Sequence, residues 1–202
     1  MRNYFLFVLC LVYSSILFAE NFSIKEKNEI YSTIELNIGV IETEKNNNYD
    51  LIISNTEGKT QNVGEPELPT YTFNYAVDYE KEYSIELTLN DYTIYENIDL
   101  YPTQPYYKPQ DSKEFIKDEN LYDSNIIYPS SKINTKRMSL RGYEFLSIEV
   151  IPYEYNPKTK ELKVFNNPEI IIIQEGERST TNRAPRSEIF ENMYKNYILN
   201  SD

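Results

Sequence analysis

Apolar and polar residues alternate over several short stretches of the chain: Ile34, Leu36, Ile38 and Val40; Ile85, Leu87 and Leu89; Leu146, Ile148 and Val150. A period of two places each set on one face of a pleated strand, and strands that are apolar on one face need a second sheet to cover them. Leu51-Ile52-Ile53 and Ile170 to Ile173 are continuous apolar runs whose β-branching suits central strands. Turn chemistry separates these segments at Asn46-Asn47-Asn48, Glu57-Gly58-Lys59, Asn90-Asp91, Asn156-Pro157-Lys158 and Asn166-Asn167-Pro168. The pattern predicts an all-β domain over residues 20–174, an antiparallel β-sandwich or jelly-roll-like fold.

Four stretches depart from that rhythm. Arg2 precedes an apolar run from Phe5 to Phe18, closed by Ala19 and an abruptly polar Glu20-Asn21. The run is short for a membrane span and has the layout of a secretory signal peptide over residues 1–19, which predicts a secreted, periplasmic or cell-surface protein with no span after its removal. Between Tyr101 and Arg141, Pro102, Pro105 and Pro109 interrupt ladder pairing and a polar segment follows, so a long excursion from the sheets is expected. Residues 175–186 carry Arg178, Arg183 and Arg186 without hydrophobic periodicity and read as an exposed linker open to an arginine-specific protease. From Ser187 a short helix is expected, with Phe190, Met193, Tyr194, Tyr197 and Ile198 on one stripe; at this length it is marginal alone and must dock on something.

Composition narrows the chemistry. The sequence has no histidine, and its one cysteine, Cys10, lies inside the signal segment. Thiolate, serine-triad and zinc or copper chemistry therefore lack their residues in the exported chain, and no metal or cofactor is expected. Only five glycines are present, none in a phosphate-cradling loop. The net charge of −12 repels nucleic acid and anionic membrane surfaces, so neutral or basic protein surfaces are the expected partners. Carboxylate pairs such as Asp78 with Glu80, or Glu149 with Glu154, are the remaining catalytic option; scattered acids of this kind are more simply a solvated surface. The loop Asn46 to Asp50 lacks the spaced acid pattern of a calcium site. Twenty tyrosines suit sheet packing, with Tyr106-Tyr107 and Tyr92 with Tyr95 as the candidates for a sugar-stacking surface.

Three stretches together resemble the propeptide of the gingipain-like C25 cysteine peptidases. They are Gly64-Glu65-Pro66-Glu67-Leu68-Pro69; Arg141-Gly142-Tyr143 followed by Pro152-Tyr153-Glu154-Tyr155-Asn156-Pro157 and Lys160 to Phe165; and the closing spacing of Ser187, Phe190 and Asn200. The chain departs from the family at Ala76-Val77-Asp78, where relatives tend to carry Val-Pro. Gly64, Pro66, Leu68, Pro69, Arg141, Gly142, Pro152, Tyr155, Asn156 and Pro157 also have local reasons to be there, as turn, stiffening and strand-entry residues.

The resemblance implies a non-catalytic prodomain that covers the cleft of a cognate cysteine peptidase, in cis or in trans, keeps it latent and assists its folding. It also implies a basic side chain on a long loop that enters the enzyme's specificity pocket. Arg137, Lys136 and Lys132 are the candidates by position, with Arg137 first because a guanidinium pairs bidentately with a carboxylate. The alternative is a carbohydrate- or protein-binding β-sandwich of a secreted or surface protein.

Overall fold

The structure, a computed structural model, describes residues 21–108, 114–179 and 190–201. The chain forms β1 (Phe22–Lys27), β2 (Tyr31–Leu36), β3 (Glu42–Asn46), β4 (Tyr49–Ile53), β5 (Tyr71–Ala76), β6 (Lys81–Thr88) and β7 (Tyr92–Tyr95). A single helical turn, α1 (Glu119–Tyr122), precedes β8 (Ile133–Leu140), β9 (Tyr143–Val150), β10 (Tyr153–Asn156), β11 (Glu161–Phe165) and β12 (Glu169–Glu177). A second helix, α2 (Glu191–Tyr197), follows.

The strands assemble into a four-stranded sheet in the order β1-β2-β12-β6, two three-stranded sheets, β5-β9-β8 and β10-β11-β7, and the hairpin β3-β4. Every strand pair in these sheets is antiparallel, as the sequence pattern predicts. One core joins them. Ile34, Leu36, Ile170 and Ile172 from the first sheet meet Phe73, Tyr75, Leu146, Ile148 and Val150 from the second, and Tyr153, Tyr155, Leu162 and Val164 from the third. The first two sheets touch directly, with the Phe22 and Phe73 rings 4.5 Å apart and the Ser32 and Tyr75 hydroxyls hydrogen-bonded at 2.6 Å.

Burial follows the period of two where one face is covered. Along β9, Leu146, Ile148 and Val150 are buried while Ser147 and Glu149 are half-buried, and β5 alternates with buried Tyr71, Phe73 and Tyr75. The Ile170–Ile173 run lies in β12, which is central, between β2 and β6. The Leu51-Ile52-Ile53 run does not form a central strand. It belongs to β4, which forms a hairpin with β3, has on its other side a single parallel bridge from Asp50 to Leu100, and leaves Ile53 exposed. The first alternating set also breaks: β2 ends at Leu36, Gly39 turns the chain at φ 66°, and Val40 faces solvent although Ile38 is buried.

Two further corrections concern the predicted irregular regions. The stretch from Tyr101 to Arg141 contains all of β8, an eight-residue strand paired without a register shift to β9. β12 continues to Glu177, past the predicted linker boundary, and Lys81 of β6 pairs with Glu177 both in register and as an ion pair. The predicted signal peptide, Pro109, Arg183, Arg186 and Ser187 lie outside the described residues.

Candidate functional site

The first family-like stretch is a hub of backbone bonds. Gly64 has φ 88°, accepts from Asp118 N–H at 2.9 Å and donates to Thr103 O at 2.8 Å; a Cβ there would sit 3.1 Å from the Asp118 nitrogen. Pro66, Leu68 and Pro69 are buried beyond it, and Thr60 caps the turn by donating its hydroxyl to Pro66 O and accepting from Leu68 N–H. The Tyr101 to Gln104 segment is thereby locked against residues 59–69, with Glu67 N–H donating to Tyr101 O.

The second stretch builds a sheet and fixes its ends. Arg141 and Gly142 both have positive φ, 51° and 82°, which makes them the two central residues of the hairpin turn between β8 and β9. Pro152 O accepts from Phe165 N–H. The Tyr155 phenol is fully buried, donates to Ile98 O at 2.9 Å, and is pushed up to about 12 by burial first and by the nearby Asp99 and Asp50 charges. Asn156 Oδ1 accepts from Lys158 N–H and Thr159 N–H, closing the turn after buried Pro157. These residues shape the scaffold that presents β8.

The three basic candidates stand on or beside β8, and their surroundings differ sharply. Arg137 points to the side of the sheet that faces the first sheet. Its Nε donates to Glu144 Oε2 at 3.0 Å, and its two terminal nitrogens donate to Lys81 O at 2.9 Å and Asp78 O at 2.7 Å. Only 19% of the side chain is exposed. Lys132 is held by Glu154 at 3.0 Å, and Lys163 binds the other oxygen of the same carboxylate at 3.0 Å. Burial raises the Glu154 carboxyl, but the hydrogen bonds and charges of Lys132 and Lys163 outweigh it and hold the group below the usual carboxylate range.

Lys136 is the contrasting case. It lies mid-strand, exposed on the opposite face of the sheet, in register with Ser147 of β9 and, beyond it, Asn74 of β5. Among the described residues no hydrogen bond or ion pair engages its ammonium. The guanidinium that suits a carboxylate pocket has acceptors inside this fold, whereas the neighbouring lysine has none among the described residues. The expected long loop is an edge strand.

Arg178 is also tied down. Its backbone N–H donates to Glu80 O at 2.7 Å, and its guanidinium lies 3.6 Å from both Glu82 and Glu144. Three of the four acids weighed as catalytic pairs have ordinary structural partners: Asp78 Oδ1 accepts from Glu80 N–H, Glu149 accepts from Asn134, and Glu154 holds its two lysines. At Asn46 to Asp50, Asn47 and Asn48 take positive φ in the β3–β4 turn, while buried Asp50 pairs with Lys45 and accepts from Asp99 N–H. Of the tyrosines considered for stacking, Tyr106 is 90% exposed, but Tyr107 donates its hydroxyl to Glu114 O.

One element whose docking the sequence did not assign to this fold is the C-terminal segment. Leu199 N–H donates to Asn74 O, and the Asn200 side chain both accepts from Ala76 N–H at 2.6 Å and donates to Ala76 O at 3.1 Å, so the outer edge of β5 is capped. The Tyr194 ring stacks on Tyr143 at 4.4 Å and its hydroxyl donates to Glu144 O, while Ile198 is buried. Asn200 was legible as part of the closing family spacing; its partner on β5 was not.

This sheet arrangement has counterparts in known proteins. The family model Propeptide_C25 matches residues 26–202. The chain belongs to that family, the non-catalytic propeptides of C25 cysteine peptidases. Among solved structures it is similar to one titled as the complex of Porphyromonas gingivalis RgpB pro- and mature domains, with a TM-score of 0.76 at 14% identity, covering 90% of this chain and 98% of the other. It is also similar to one on the zymogenic latency of gingipain K from Porphyromonas gingivalis, with a TM-score of 0.66 at 17% identity, covering 77% of this chain and 92% of that one. At these identities the likeness speaks for the shared fold. No curated protein matches the chain by sequence. Among the described residues no helix is long and apolar enough to cross a membrane.

Proposed function

We propose that this propeptide is exported, seats the β8 side of its second sheet against the cleft of its cognate C25 peptidase, and holds that enzyme latent, with Lys136 entering the specificity pocket. The observation that carries this reading is the contrast on β8: Arg137 has three internal acceptors, whereas Lys136 presents an uncommitted ammonium from the middle of a rigid strand. A pocket with a buried carboxylate rewards a cation that leaves water for it, and a strand holds that cation with less entropy to lose than a loop would. The two similar structures, one of a complex of pro- and mature domains and one concerned with zymogenic latency, support the same reading. Release by cleavage is proposed at Arg183 or Arg186 in preference to Arg178, because the Arg178 backbone and side chain are both engaged.

The test is inhibition in trans. Purified residues 20–202 are expected to inhibit the cognate peptidase at micromolar concentration or below. Lys136→Ala is expected to weaken inhibition by about 2 kcal/mol, roughly 30-fold, with unchanged thermal stability. Absence of inhibition by the wild-type chain would sink the reading, and equal inhibition by the variant would remove Lys136 from the pocket.

A further inference from the structure

The two large sheets have four outer edges, and three of them are defended. β1 carries a register shift between Ile24 and Glu26 and exposes Lys25, Glu26 and Lys27. β6 exposes Glu82 and Glu86, and its ladder with β12 shifts between Gln174 and Glu177. β5 is capped by Leu199 and Asn200. Bulges, charges and covering segments are the devices by which soluble proteins stop their edges from pairing with other chains.

β8 has neither a bulge nor a covering segment among the described residues, and Lys136 is its one exposed charge. It runs for eight residues with no proline and no register shift. The two-residue turn at Arg141-Gly142 makes Leu140 and Tyr143 a hydrogen-bonded pair, so alternate residues Met138, Lys136 and Asn134 also bond to β9. The backbone N–H and C=O groups of Thr135, Arg137 and Ser139 then point away from the sheet, and no other segment among the described residues takes them. At the head of the strand lies a groove with Leu121, Ile126, Ile127 and Ile151 in its wall. Ile126 and Ile127 are exposed there.

We propose that an extended segment of the C25 peptidase adds to this edge as a fourth strand, bonded through Thr135, Arg137 and Ser139, with an apolar side chain in the Ile126–Ile127 groove. This rests on the proposed function and specifies how the two chains join: main-chain pairing supplies affinity and register, and register aims Lys136. The occupant is the peptidase in preference to a second copy of this chain, because two copies each carrying a net charge of −12 repel one another.

The experiment replaces one outward N–H. Thr135→Pro removes a donor that the internal ladder does not use, whereas Thr135→Val keeps it. The probe is the C25 peptidase domain whose precursor carries this propeptide. Thr135→Pro is expected to raise the inhibition constant about tenfold or more, with Thr135→Val within about twofold. A folded Thr135→Pro chain that inhibits like wild type would overturn the proposal. Should that variant fail to fold, amide exchange on the wild-type chain by NMR decides instead. The Thr135, Arg137 and Ser139 amides are expected to exchange fast alone and to become protected on adding peptidase, while Lys136 and Met138 are protected throughout. No gain in protection at the three outward amides overturns strand addition. Inhibition without such protection leaves the latency reading standing and this one refuted; protection without inhibition does the reverse.

Discussion

The second sheet has two edges built by strands that share the same neighbour, β9, and they meet solvent differently. On β5 the chain's own C-terminal segment takes the open groups of Asn74 and Ala76 and stacks Tyr194 over Tyr143. On β8 no segment among the described residues takes the outward backbone groups, and neighbouring side chains part, with Arg137 bonded inward and Lys136 facing out. Among the described residues one edge is closed by the chain itself and the other is left uncovered. Under the proposed function, stability and inhibition are separable along a single sheet, residue by residue.

Substitutions at these edges sharpen the comparison. The largest effect on stability is expected from Arg137→Ala, which removes charge-assisted hydrogen bonds to Glu144 and to the Asp78 and Lys81 carbonyls; about 2 kcal/mol should be lost in urea denaturation. Its inhibition, measured where the chain is still folded, should change far less than that of Lys136→Ala. The opposite ranking would exchange the two roles. Asn200→Ala uncovers the β5 edge and removes its pair of bonds to Ala76, so about 1 kcal/mol of stability should go while inhibition is unaffected. A smaller effect is expected from pH. Because Glu154 sits below its ordinary 4.5 in the folded chain, the stability it contributes is complete above that value and is lost as pH falls through the folded value. Glu154→Gln should therefore flatten the acid limb of a stability–pH curve below about 4.5 and leave the neutral region's slope unchanged; an unaltered acid limb would dissociate Glu154 from it.

Much of the fold was legible because half-buried strands advertise themselves. Leu146, Ile148 and Val150 alternate because one side of β9 is core, and the Ile170–Ile173 run is continuous because β12 has neighbours on both edges. β8 was not legible for the same physical reason in reverse: Ile133–Leu140 buries almost nothing, so its sequence carries no period to read. The leading position given to Arg137 followed from side-chain chemistry that is sound in itself. What the sequence could not show is tertiary: Asp78 and Lys81 lie in one turn leading into β6, Glu144 lies far along the chain in β9, and only folding brings their oxygens to one guanidinium. The family motifs were visible as residues, yet Gly64, Tyr155 and Asn200 act through partners far away in sequence, at Asp118, Ile98 and Ala76.

Latency by coverage makes a demand on the peptidase that no property of the isolated propeptide can meet. The direct measurement is the rate at which a small alkylating reagent modifies the peptidase's catalytic cysteine, with and without saturating propeptide. Coverage predicts that the complex reacts at least about tenfold more slowly than the free enzyme and that Lys136→Ala restores part of the rate. A complex that forms but is alkylated at the free enzyme's rate would contradict it.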